Sequence, residues 1–226
     1  MQEIIILGGR GIGMITSMVI DDINNRINNR IRMYKLLGFL NDEIEVGEKV
    51  GRYKQIEVIG KSEDIKKYSK NEDINFFVAY LGMLNKQPIY DKIKNLGINR
   101  NRFNTFVHPT AYIPNEYCEV GNGCLFAPLS HLSPDTKVGD HCFLLPNSFV
   151  GHDSTLEDFV SVANNATVGG NVLVKKGVHV GSNATIRENV TIGEFSMIGM
   201  GSVVLEDVPP YSTVVGNPTK IKNKKS

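Results

Sequence analysis

The sequence contains no tryptophan, only three cysteines and no excess of charge: 25 lysines and arginines face 24 aspartates and glutamates, for a formal net charge of +1. That balance removes the overall field that draws nucleic acid or an anionic membrane to a protein. Cys118, Cys124 and Cys142 are an odd number without CxxC spacing. They argue against a disulfide framework or a zinc knuckle and fit a reducing compartment. The longest apolar runs fall far short of the roughly 20 residues a membrane span needs, and the opening MQEIIILGG lacks the basic region and cleavage site of a signal peptide. The expectation is a cytoplasmic protein with no membrane insertion and no nucleic acid partner. The one dense basic run, Lys220 to Lys225, reads as a solvated end. What is present is 226 residues, 41% of them hydrophobic, enough to bury a core in one large domain or two small ones.

Two halves follow different grammars. In the first, EIIIL (3–7) is a continuous apolar run suited to a buried parallel strand, and it feeds a turn with glycines at 8, 9, 11 and 13. A helical stretch to about Ile27 follows. KLLGFLND (35–42) and NFFVAYLG (75–82) read as further strands, and Pro88 to Leu96 has helical spacing with proline in its first turn. This is βαβ grammar. A glycine-rich loop between a first strand and a first helix lets backbone amides approach a phosphate. The spacing here does not reproduce GxGxxG, so a tight turn that needs positive φ is an equally plain reading. Gly8, Arg10 and Gly11 are candidates for holding a phosphate, and Asn41-Asp42, at the end of the second strand, for meeting a ribose or base edge.

The grammar changes near His108-Pro109. Every sixth residue from Val120 to Val204 is apolar, and the residue four places after each is small or valine, from Cys124 and Ser130 through Ala184 to Ser202. Side chains alternate along a strand, so a position two residues before the next apolar site shares its face. Each hexad is then one short strand with a small and a large inward residue. A helix of 3.6 residues per turn cannot keep that register, whereas a hexapeptide β-helix requires it. Cys124 and Cys142 fall on small inward positions, as inert buried thiols.

Hexads such as Val-Gly-Asn-Gly-Cys-Leu and Ile-Gly-Glu-Phe-Ser-Met resemble the left-handed β-helix of hexapeptide acyltransferases. Nearly the whole chain is similar to the sugar acetyltransferases that include bacillosamine-type N-acetyltransferases and sialic acid O-acetyltransferases. The stretches that carry the likeness are IIILGGRGIG, LLGFLNDE, FFVAYLG, FNTFVHPTAYI, VGHDSTLEDFVSVANNATVGGNV, IGMGSVVLEDVPPYS and VVGNPTKI. The resemblance implies an α/β plus β-solenoid architecture: a small Rossmann-like domain over 1–105 for a sugar nucleotide and a left-handed β-helix over 106–226. It also implies a homotrimer with acetyl-CoA between adjacent helices, and no metal.

In that family the catalytic histidine matches His152 and its acidic partner Asp153. Acetyl transfer from a thioester needs the acceptor's proton removed as it attacks, and an imidazole near neutrality can take it. A carboxylate on the other ring nitrogen fixes the tautomer and stabilises the imidazolium. The family's oxyanion-stabilising amide lands on Gly170, eighteen residues after His152 and thus one coil on. Ser182 and Met200 match the coenzyme-lining column, and Asn217 and Pro218 belong to a segment near the coenzyme. Three positions depart from the pattern: Ile12 and Ser161 stand where relatives with nucleotide-linked amino sugars commonly have histidine, and Leu145 where asparagine is frequent. The implied activity is acetyl transfer to the amino group of a nucleotide-linked amino-deoxysugar. O-acetylation of a sialic acid-like sugar is the main alternative, and a silent sugar-nucleotide-binding relative a more distant one. A zinc enzyme on the same scaffold needs three converging histidines, which the spacing of His108, His131, His141, His152 and His179 does not suggest.

Overall fold

The computed structural model of the chain describes residues 1–26, 33–80 and 86–224. The first part runs β1 (Gln2–Leu7), α1 (Ile12–Arg26), β2 (Tyr34–Leu40), β3 (Lys49–Val50), β4 (Ile56–Gly60), α2 (Ile65–Tyr68), β5 (Ile74–Val78) and α3 (Lys86–Lys94). Its five strands form one sheet in the order β3-β4-β2-β1-β5, parallel except at β3. Ile4, Ile5, Ile6 and Leu7 are all buried, as a central strand covered on both faces requires. β2 stops at Leu40 because Asn41 Oδ1 accepts the amides of Glu43 and Ile44 at 2.8 and 2.9 Å, turning the chain. The strand expected over 75–82 ends earlier, at Val78; its Leu81 and Gly82 lie outside the described residues, as do Ile27 of the first helical stretch and Lys225 of the basic run.

From Phe106 the chain winds as a three-sided β-solenoid. Two sheets of five strands and one of eight run its length, and successive coils pair in parallel eighteen residues apart, Lys137 with Thr155, Phe143 with Ser161, Phe149 with Thr167. From Phe126 to Val204 every apolar hexad position is at most 3% exposed, and so is every small one from Cys124 to Ser202. The corners also repeat. Each sixth residue from Gly123 to Gly201 has φ between 52° and 70°, and these positions hold mainly asparagine, aspartate and glycine. Those residues enter the left-handed region at least cost.

One apolar cluster spans both parts, and the inward residues of the solenoid form a second. The Phe77 ring lies 5.5 Å from Phe106 and 5.6 Å from Phe143, the latter on the outer face of the solenoid. Arg100 and Asp140 bridge the parts at 2.9 Å. An exposed ion pair contributes at most about 1 kcal/mol, whereas full burial of a phenyl ring contributes about 1.5–3 kcal/mol. Aromatic packing therefore seats the sheet on the solenoid.

Candidate active site

His152 lies on a solenoid corner beside Asp153, which occupies one of the left-handed positions with φ 58°. That corner turns the carboxylate back on its neighbour, and Asp153 Oδ2 is 2.6 Å from His152 Nδ1. With Nδ1 engaged, Nε2 is the nitrogen available to a substrate proton. Gly170 stands one coil on in the same column. A Cβ built on it would meet His152 Nε2 at 2.9 Å, so the imidazole lies across the glycine and a larger residue would displace it. The Gly170 carbonyl accepts the Asn189 amide at 3.1 Å, while its own amide donates to no backbone acceptor among the described residues. Ser154 braces the corner from inside: its Oγ donates to Gly169 O at 2.9 Å and accepts the Val172 amide at 3.0 Å. His152 and Asp153 themselves are exposed.

Ser182 and Met200 stand with Asn164 on the preceding corner of the prism, one six-residue side away. The turn at Gly216, Asn217 and Pro218 stacks on that same corner, its Gly216 amide donating to Ser202 Oγ at 3.2 Å and its carbonyl accepting the Val203 amide at 2.9 Å. A single chain thus brings His152, Asp153 and Gly170 together, and separately Ser182, Met200, Asn217 and Pro218, but not the two sets. Met200 is 77% exposed, a large apolar side chain with no cover in one chain.

Between this second corner and the start of α1 is a cavity of about 200 Å³. Ile12, Phe143, Leu145 and Ala163 form apolar walls, and Ser182 and Met200 an edge. Ser161 and His179 contribute its buried polar surface; they are register partners on successive coils, with Ser161 Oγ 2.8 Å from His179 Nδ1. Ile12, Leu145 and Ser161, the three departures from the family pattern, therefore meet in one place.

A second cavity, of about 330 Å³, opens at the carboxyl ends of β1, β2 and β5. Gly8, Arg10, Gly11 and Asn41 line it, with Tyr80 and Ile12. Gly8 and Gly11 have φ of 128° and 61°, and a Cβ on Gly8 would press on Ala79 at 3.1 Å. The tight-turn reading of these glycines thus holds, and both also line the cavity. Tyr80 donates to Leu40 O at 3.0 Å, and burial, then the Asp42 charge, pushes its phenol up. Asp42 does not line the cavity. Its carboxylate accepts from the Ser62 amide (2.8 Å), the Ser62 hydroxyl (2.6 Å) and Lys92 (3.1 Å). Burial alone would raise its carboxyl, but Ser62 and Lys92 outweigh that and hold it below the usual range.

The remaining histidines have structural surroundings. His108 ties the solenoid's start to α1, Nε2 3.1 Å from Asp22 Oδ2. His131 stacks between Tyr112 and Phe149, with centroids 4.9 and 5.1 Å away. His141 is buried against Phe103 and Phe159, and burial lowers its imidazole to about 4. Cys124 and Cys142 are buried, and burial raises the Cys142 thiol well above its ordinary value, as inert thiols require.

No protein-family model and no curated protein matches the chain by sequence. Solved structures do match, over almost its whole length. The acetyltransferase domain of PglB from Neisseria gonorrhoeae superposes with a TM-score of 0.81 at 22% identity, covering 98% of this chain and 100% of that one. A perosamine N-acetyltransferase from Caulobacter crescentus, in complex with CoA and GDP-perosamine, gives 0.80 at 20% identity, covering 98% and 97%. WeeI from Acinetobacter baumannii gives 0.75 at 22%, covering 98% and 100%. The fold is that of the sugar acetyltransferases.

The His152 corner gathers an imidazole, a carboxylate hydrogen-bonded to it and a glycine one coil away. Among the described residues no group of three or more histidines, cysteines, aspartates or glutamates converges as metal ligands would. From the sequence, His179, like His131 and His141, takes a solvated or hydrogen-bonded place on the hexads, and the structure pairs it with Ser161, eighteen residues earlier.

Proposed function

We propose that this chain is an acetyl-CoA-dependent acetyltransferase that acetylates the amino group of a nucleotide-linked amino-deoxysugar destined for a bacterial surface glycan. One observation carries the proposal. His152 is oriented by Asp153 at 2.6 Å and lies across Gly170, on a fold whose solved examples include a sugar N-acetyltransferase in complex with CoA and GDP-perosamine. His152 Nε2 removes the proton of the attacking amine, and Asp153 stabilises the imidazolium. Nitrogen attacks the thioester carbonyl directly. The Gly170 amide donates to the developing oxyanion, which typically contributes about 3 kcal/mol, and the coenzyme leaves as thiol once the proton reaches sulfur.

The two separated corners support an assembly in which a second copy completes the site. In a trimer with acetyl-CoA between adjacent left-handed helices, Ser182, Met200, Asn217 and Pro218 of one copy line the coenzyme that reaches the partner's His152 corner. Residues 1–105 act as a Rossmann-like domain holding the nucleotide in the cavity of Gly8, Arg10, Gly11 and Asn41, and 106–226 as the acetyltransferase domain. Asp42 serves this site by fixing the loop through Ser62 and Lys92 rather than by touching the ligand. A cytoplasmic location accords with the supply of acetyl-CoA and nucleotide sugars.

Free-thiol release from acetyl-CoA by His152→Ala tests the mechanism: at saturating acceptor, kcat is expected to fall by about 10² to 10⁴. Full activity in that variant would remove His152 from the chemistry.

A further inference from the structure

We propose that a cleft at the foot of the solenoid is a binding site for a neutral saccharide, separate from the acetyl-transfer site. The cleft, of about 470 Å³, lies between the amino ends of β1 and β5 and the first coil, at the opposite end of the sheet from the glycine loop. Six of its twelve lining residues are asparagine or glutamine. Three of these are joined in series: Asn75 Nδ2 donates to Asn104 Oδ1 at 2.6 Å, and Asn104 Nδ2 to Gln2 Oε1 at 3.0 Å. Asn75 is 8% exposed, on a strand whose other residues are all buried and apolar. A carboxamide buried there costs free energy that an apolar residue would not. Among the described residues its Oδ1 accepts no hydrogen bond. The wall of the cleft is thus a fixed row of amides with an unused acceptor at one end.

The lining selects the class of ligand. None of the described lining residues is lysine, arginine, aspartate or glutamate, so a phosphate or carboxylate entering the cleft loses water and meets no counter-charge. The nearby Arg100 and Asp140 are engaged with each other at 2.9 Å, and Asp140 Oδ1 also accepts the Asn122 amide at 2.8 Å. A carboxamide presents donors and an acceptor in one plane, which matches adjacent hydroxyls of a sugar ring, each able to donate and to accept. Val107, Ile113 and Val120 supply apolar surface for the C–H face of that ring. Thr105 fixes the wall between them: its Oγ1 donates to Gly121 O at 2.8 Å and accepts the Cys124 amide at 3.1 Å. Gly121 and Asn122 belong to the third corner of the prism, which turns at Gly123, His141 and Phe159. Neither corner that meets a second copy in the proposed trimer lines the cleft.

The test is ligand-observed NMR titration of the full-length protein with glucose, galactose, N-acetylglucosamine, cellobiose and chitobiose, and with glucuronic acid and glucose 6-phosphate as charged counterparts. At least one neutral sugar is expected to bind about fivefold or more tightly than either charged one, and UDP, GDP and dTDP are expected not to displace it. Asn104→Leu severs both hydrogen bonds of the row and should weaken that sugar about tenfold or more. Asn122→Ala removes one carboxamide without touching the row and should weaken it about two- to fivefold, with melting temperature and thiol release from acetyl-CoA as in the wild type. If Asn104→Leu does not fold, Asn122→Ala and the nucleotide competition decide. Five results would each overturn the proposal: no binding by any neutral sugar, equal or tighter binding of the charged ones, displacement by a nucleotide, full affinity in folded Asn122→Ala, or tighter binding of the uncharged peptide acetyl-tetraalanine amide. None of them bears on the acetyltransferase reading, which thiol release by the wild type tests separately.

Discussion

A single methyl group separates Gly170 from a residue this site cannot hold. The Cβ of alanine would stand 2.9 Å from His152 Nε2, inside any ordinary contact, and Gly170 does not rely on a left-handed φ. Gly170→Ala is therefore expected to keep its melting temperature within a few degrees while kcat drops at least about 10²-fold, from a displaced base and a blocked amide. Wild-type kcat in that variant would contradict the geometry. A different residue governs acid stability. Burial holds the His141 imidazole at about 4 against 6.5 for a free histidine. Between those values the unfolded chain takes up a proton that the folded chain refuses, so stability falls as the pH drops from 6.5 to 4, by roughly 3 kcal/mol in all. His141→Asn, compatible with that corner's φ of 57°, should flatten this part of a denaturation-versus-pH curve. An unchanged slope would assign the acid lability to other groups.

At the scale of elements, the repeat was legible because it is enforced by packing. The apolar residue of each hexad must enter the solenoid, and one slip in phase would turn it to water. The corners were legible too, had their own period been followed: three residues after each apolar site stand Asn147, Asp153, Asn165, Asn171, Asn183 and Asn189, all with positive φ. Asn183→Val should destabilise the protein by about 1–2 kcal/mol, since a β-branched residue pays the full left-handed penalty, and Asn183→Gly should be close to neutral. Equal melting temperatures for the two variants would contradict that account of the corners. Asp42 was not legible as a loop clamp, because Ser62 and Lys92 reach it from twenty and fifty residues away. The 200 Å³ cavity was illegible for the same reason. Ile12 comes from the first helix, and Phe143, Ser161 and His179 from three coils of the solenoid, so no local pattern unites them.

At the scale of the molecule, eighteen-residue arithmetic already separates the two functional columns. His152 and Ser182 are thirty residues apart, which is not a whole number of coils, so they cannot share a corner. Under the proposed function, an exposed Met200 on one corner and an exposed His152 on the other are two halves of a site that copies of the chain would complete. Sedimentation equilibrium is expected to give about 75 kDa, three chains of 25.0 kDa. A stable 25.0 kDa species that still turns over would refute the shared site. The most direct measurement of the activity is thiol release from acetyl-CoA by the wild-type protein, against UDP-, GDP-, dTDP- and CMP-linked sugars with and without an amino group. Turnover confined to an amino-deoxysugar, and absent for the same sugar without its amine, is the expected result. Silence across the panel from protein that still binds acetyl-CoA would contradict N-acetylation of a nucleotide sugar.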